Sequence, residues 1–132
     1  MTLTSKQISL GFLLAGLMNF SVLVFSKLFT NTTIAKFDPD VMSNFGLLMI
    51  VLWGIGYIAV SKSYASVKWL ILVFALEKLI YGLNWFFWLI DNSLSDVFSE
   101  DTLAGMFYSV YGVNDWMFCL FFFYVFSKVF KN

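Results

Sequence analysis

Four long apolar runs alternate with short polar stretches along the chain. Read as membrane helices, they cover about 8–29, 44–60, 67–90 and 103–126. A span needs about 20 apolar residues, with about 17 as the short limit, so the second run is the shortest that could cross. The pattern predicts an all-α membrane protein: one domain over 1–132, four transmembrane helices in an antiparallel bundle. The first run follows Lys6 and competes with a signal-peptide reading. It exceeds the usual 7–15-residue signal core, and no small-x-small cleavage site follows it.

Small and polar residues interrupt the apolar runs in register. Ala15, Gly16, Asn19 and Ser26 form one stripe on the first helix; Gly46, Gly54 and Gly56 lie in the second, and Gly105, Ser109 and Gly112 in the fourth. Small residues let neighbouring backbones approach in membranes. Trp53 falls mid-span, where packing is the ordinary role and its indole N–H needs an acceptor. The stretch FCLFFFYVF is apolar all round and is expected to face lipid. Residues 30–43 read as a loop with a turn or helix start at Asp38-Pro39. Residues 61–66 read as a tight connection, and DNSLSDVFSEDT as a solvated acidic loop without EF-hand spacing. Asn31-Thr32-Thr33 matches a glycosylation sequon by form alone, and changes at Asn31 or Thr33 are expected to matter little.

Composition narrows the chemistry. Hydrophobic residues make up 61% and charged residues 12%, against roughly 25% charged in soluble domains. Net charge is zero, which removes the electrostatic case for nucleic acid. All eight basic residues are Lys, there is no His, and Cys119 is the one cysteine. Bidentate guanidinium sites, imidazole ligands and an intrachain disulfide are therefore excluded. No cofactor, metal ligand set or catalytic group is implied. With four spans, Lys6, Lys62, Lys68, Lys128 and Lys131 fall on one side without an acid. The other side holds Lys27 and Lys36 beside Asp38, Asp40, Asp91, Asp96, Glu100 and Asp101. The positive-inside rule then places both termini in the cytoplasm.

Three ionisable residues remain, Glu77, Lys78 and Asp115, all near span centres. The third span has fourteen Leu, Ile, Phe and Val residues, worth roughly −6 kcal/mol for insertion, while each central charge costs about 2.5–3.5 kcal/mol. Glu77 and Lys78 thus cancel most of the gain, and the helix must find partners for them. Helical spacing aligns Glu77, Tyr81, Asn84 and Trp88 on one line, with Lys78, Tyr81 and Trp85 beside it. On the last helix Tyr108, Tyr111, Gly112, Asp115 and Cys119 share a face. The expected arrangement pairs Lys78 with Asp115 and gives Glu77 a Tyr or Asn partner. Asn19, Tyr81, Asn84, Tyr111 and Trp53 complete the candidate binding or proton site. If all three charges persist the layer carries −1, and desolvation favours discharging it with one proton.

NFGLLMIVLWGIGYIAV, a short connection, and KWLILVFALEKLIYG resemble small four-helix bacterial membrane proteins of the DoxX-like kind. The resemblance covers the second and third helices and implies a four-helix bundle in a bacterial inner membrane. The redox roles of some relatives do not carry over, because no residue set here serves them. Three functional readings stay open. One is a non-enzymatic accessory or assembly protein whose polar layer fixes helix register. The second binds or transports a proton or small ligand through that layer. The third is an intramembrane enzyme on a lipid-like substrate, needing an apolar pocket lined by Trp53, Tyr81, Trp85 and Tyr111. Expected partners are the lipid bilayer, another membrane protein or a second copy, and a small apolar ligand.

Overall fold

The computed structural model describes residues 2–132, and every regular element among them is helical. Helix α1 (Ser5–Phe20) continues after a break into α2 (Val22–Phe25); α3 (Thr32–Phe37) is short; α4 is Asn44–Val60. A single 3₁₀ turn (Tyr64–Ser66) leads to α5 (Lys68–Asp91), then come the short α6 (Leu94–Glu100) and the long α7 (Thr102–Lys131). Three stretches, Ser5–Phe25, Lys68–Asp91 and Thr102–Lys131, are long and apolar enough to cross a membrane, and α4 is a shorter apolar helix. Outward-facing Leu, Ile, Val and Phe side chains are exposed along all four, as lipid contact requires and water contact penalises.

Local signals set the helix ends. Thr4 and Gln7 form a reciprocal capping box at the start of α1. Ser43 accepts from Gly46 N–H to open α4, and Asp101 from Ala104 N–H to open α7. Each side chain satisfies a backbone donor that the helix leaves unpaired. The first span ends earlier than its hydropathy suggests. Ser21 Oγ bonds back to Met18 O at 2.5 Å, the local competition that interrupts helices. The chain then passes through left-handed Lys27, Leu28 and Phe29, with φ of 50°, 54° and 67°. The last helix runs beyond 126 to Lys131, its end bearing Lys128 and Lys131, which suit the negative helix terminus.

The long helices pack as two tight pairs, α1 with α4 and α5 with α7. In the first pair Gly16 and Gly54 face each other: a Cβ on either would come within 3.0 Å of the other's carbonyl oxygen. In the second pair two Trp rings seat reciprocally over glycines. Trp85 lies on Gly112 and donates to Tyr108 O at 2.7 Å, and Trp116 lies on Gly82 and donates to Gly82 O at 3.1 Å. The FCLFFFYVF stretch is not lipid-facing all round. Phe118, Cys119, Phe122 and Val125 are buried, because helical spacing continues the inward face of Tyr111 and Asp115. Two apolar clusters result. One contains Ile8, Phe12, Tyr57, Phe74 and Phe122, and the other Ile34, Met42, Trp88, Phe107 and Tyr108.

The second cluster is roofed by the segments expected to be loops. The stretch 30–43 contains α3, and the acidic stretch contains α6, because each buries one apolar residue, Ile34 and Val97. Asp101 joins them. It accepts from Asn31 Nδ2 at 2.7 Å and from Ala104 N at 2.8 Å, and pairs with Lys27 at 3.1 Å. Asn31 is buried, caps α3 through Thr33 N–H and also donates to Phe25 O. The expectation that Asn31 is dispensable is therefore corrected, since its amide closes the left-handed turn against α7.

Gly112→Ala should cost about 1–3 kcal/mol by overpacking against Trp85, whereas Gly56→Ala, whose Cβ would meet Phe74 at 3.8 Å, should stay within about 0.5 kcal/mol. Thermal unfolding in detergent followed by circular dichroism checks both. The Ala104 N–H, then Asn31 and Lys27, hold the Asp101 carboxyl below its ordinary value of 3.8. A depressed value means the ionised form favours the folded state, so this contribution is present above 3.8 and is lost as pH falls through the lower, folded value. Stability measured against pH in acid should show that loss, and Asp101→Asn should flatten it.

Candidate functional site

Between the two apolar clusters, four buried side chains from three helices meet: Asn19 of α1, Glu77 and Lys78 of α5, and Asp115 of α7. The Lys78 ammonium lies 2.8 Å from Asp115 Oδ1 and 2.8 Å from Asn19 Oδ1. Asn19 in turn donates to Ile50 O of α4 at 2.8 Å. Tyr57 of α4 donates its hydroxyl to Glu77 Oε2. The Lys78 ammonium also sits 5.3 Å from the centre of the Tyr57 ring, within cation–π range. The layer therefore binds both tight pairs to each other. Lys78 is 1% exposed and Asp115 6%, so the pair is shielded from solvent and its parts depend on each other.

The packing explains why these residues reach one place. Lys78 and Asp115 lie on the α5–α7 contact beside the Trp85–Gly112 and Trp116–Gly82 seats, which hold the two helices in register. Asn19 follows one turn after Ala15, on the face that Gly16 presses against Gly54. Tyr57 lies one turn beyond Gly54 on α4.

A cavity of about 30 Å³ adjoins the layer, walled in part by Asn19, Glu77, Lys78, Tyr81, Tyr111, Asn114 and Asp115. One water needs about 10–15 Å³ of such space, so one or two fit. Asn114 Nδ2 points towards Asp115 Oδ1 at 3.4 Å, and Asn114 Oδ1 is buried with no donor among the described residues. A buried orphan acceptor calls for an ordered water or another donor.

The sequence-predicted residues divide into three groups. Lys78, Asp115 and Asn19 meet directly, Glu77 is held by Tyr57 beside them, and Glu77, Tyr81 and Tyr111 line the cavity. Asn84 stands one level away, donating to Tyr111 Oη at 3.3 Å and to Asp38 Oδ2 at 3.0 Å. Trp53 does not join. It packs edge-on against Phe74 with ring centres 6.1 Å apart, and its indole N–H finds no acceptor among the described residues. Tyr57 and Asn114 were missed as site residues. Tyr57 lies in an ordinary-looking aromatic position, and the signal that could have found it is its one-turn spacing from Gly54. Asn114 differs from its neighbours only as a polar residue beside Asp115.

Comparison with protein-family models, curated proteins and solved structures finds no match to this chain.

Lys78→Leu should destabilise the fold by about 3–5 kcal/mol, because it strands Asp115. Adding Asp115→Leu should recover part of that loss. Unfolding of the two single variants and the double variant in one detergent measures the coupling, and additive losses would count against the pair.

Proposed function

We propose that this chain is a multi-pass protein of a bacterial inner membrane. In this reading it is a four-helix bundle of the DoxX-like kind with both termini cytoplasmic, and its mid-membrane layer binds and releases a proton or a small ligand. The observation that carries the binding role is the cavity against Glu77, Lys78 and Asp115, lined also by Asn114, whose amide oxygen has no donor among the described residues. Four crossings are supported by the segregation of five lysines, free of acids, at the end that holds the termini and 61–66. At 17 residues, α4 is about 26 Å long, close to the ~30 Å of hydrocarbon, and the Ser43 cap extends it into the interface.

The accessory reading keeps one specific support: Asn19, Tyr57 and the ion pair join all four long helices, which is what a register-fixing layer does. The enzymatic reading loses support. Trp53 and Trp85 do not line the cavity, and sites for drug-sized molecules measure about 300–1,000 Å³.

Infrared difference spectroscopy on the protein in lipid nanodiscs tests the proposal. Across roughly pH 5 to 9, the range that buried carboxyls reach, a carboxylic C=O band should grow on acidification and vanish in Glu77→Gln. A layer with no titrating carboxyl in that range, and a Glu77→Gln variant that changes thermal stability alone, would leave the layer purely structural.

A further inference from the structure

The two directions leading away from the polar layer differ in kind. Towards the α3 and α6 end, polar groups continue. Tyr111 lines the cavity one turn from Asp115, Asn84 donates to the Tyr111 oxygen at 3.3 Å, and the same amide donates to Asp38 at 3.0 Å. Asp38 is partly exposed, and its second oxygen accepts from Val41 N–H at 3.2 Å. A seam of polar atoms thus runs from the cavity wall to the surface.

Towards the end that holds the termini the path closes. Beyond the Tyr57–Glu77 contact lie Phe74 and Phe122, with ring centres 4.8 and 5.0 Å from that of Tyr57. Phe12 packs on Phe122 at 5.2 Å and stacks on Tyr64 at 5.7 Å. Phe12 and Phe122 are wholly buried and Phe74 nearly so. In that direction the Phe74, Phe122 and Phe12 rings offer a water no hydrogen-bonding group. Sideways, the cavity is bordered by exposed Met18 and Val110, which face hydrocarbon if the helices span a membrane.

We infer that the layer exchanges protons with water at the α3/α6 end alone, through water oriented along the seam Asp38–Asn84–Tyr111, since the Asn84 nitrogen donates in both directions and does not itself pass a proton. This rests on the reading of the layer as a proton-binding site. The groups facing Glu77 and Asp115 are Tyr57 from α4, Lys78 and Tyr81 from α5, and Tyr111 and Cys119 from α7; α1 offers the amide of Asn19 and no titratable group. Protons therefore pass between the layer and one compartment, and the site reports the pH of that side.

The test uses the full chain in proteoliposomes, with orientation selected through a C-terminal affinity tag. A rapid pH jump is applied to one compartment at a time, and the Glu77 carboxyl band is followed. The band should respond when the α3/α6 side is acidified and stay still, before proton leak, when the other side is. Asn84→Leu should slow the response at least tenfold. Asp38→Ala, at the mouth and outside the layer, should slow it too, while Phe87→Leu on the exposed face of α5 should not. A response to the termini side, or to both sides equally, overturns the one-sided path. So does an Asn84→Leu variant that lowers the final amplitude at an unchanged rate, since Asn84 would then belong to the binding site. Absence of any titrating band in either compartment removes the proton-binding reading itself.

Discussion

The contact between Lys78 and Asp115 is the constraint to which the rest of the structure answers. A lone ammonium in an apolar interior is untenable, and a lone carboxylate equally so. Their meeting at 2.8 Å makes each acceptable where the other sits, and Asn19 shares the ammonium. Everything that fixes this distance becomes necessary: the Trp85 and Trp116 seats that set α5 against α7, and the Gly16–Gly54 crossing that brings Asn19 within reach. The apolar core is consequently divided into two parts with a polar floor between them, and each part is rich in aromatic rings. Large rigid rings fill space at modest conformational cost and enclose the layer on both sides.

Much of this was legible in the sequence because the membrane imposes length and periodicity. The run 44–60 coincides with α4, and 67–90 differs from α5 by one residue at each end. The Lys78–Asp115 contact could be anticipated because two central charges of opposite sign have few alternatives in hydrocarbon. The partner of Glu77 could be narrowed to a Tyr or Asn but not to Tyr57, since six tyrosines offer similar chemistry. Trp53 shows the opposite error. A mid-span indole looks chemically special, yet its place is set by shape against Phe74.

The ends of the spans were least legible. Hydropathy continues smoothly through Phe29, while the backbone turns left-handed at Lys27. Nothing in a local window announces that change, because it depends on Asp101, some seventy residues away, drawing Asn31 and Lys27 towards the start of α7. Likewise α3 and α6 are too short and too polar to declare themselves. They fold because Ile34 and Val97 each find a buried place over the aromatic cluster, a tertiary effect that overrides weak propensity.

The pairing of the helices also sets an order of events during synthesis. The chain emerges from its amino end, so α1 and α4 are both made before α5 exists. Their crossing at Gly16 and Gly54 places Asn19 and Tyr57 side by side, one an acceptor for an ammonium and the other a donor to a carboxylate. Both charges of α5, a helix barely apolar enough to enter a membrane by itself, are thus matched by groups on helices that precede it in the chain.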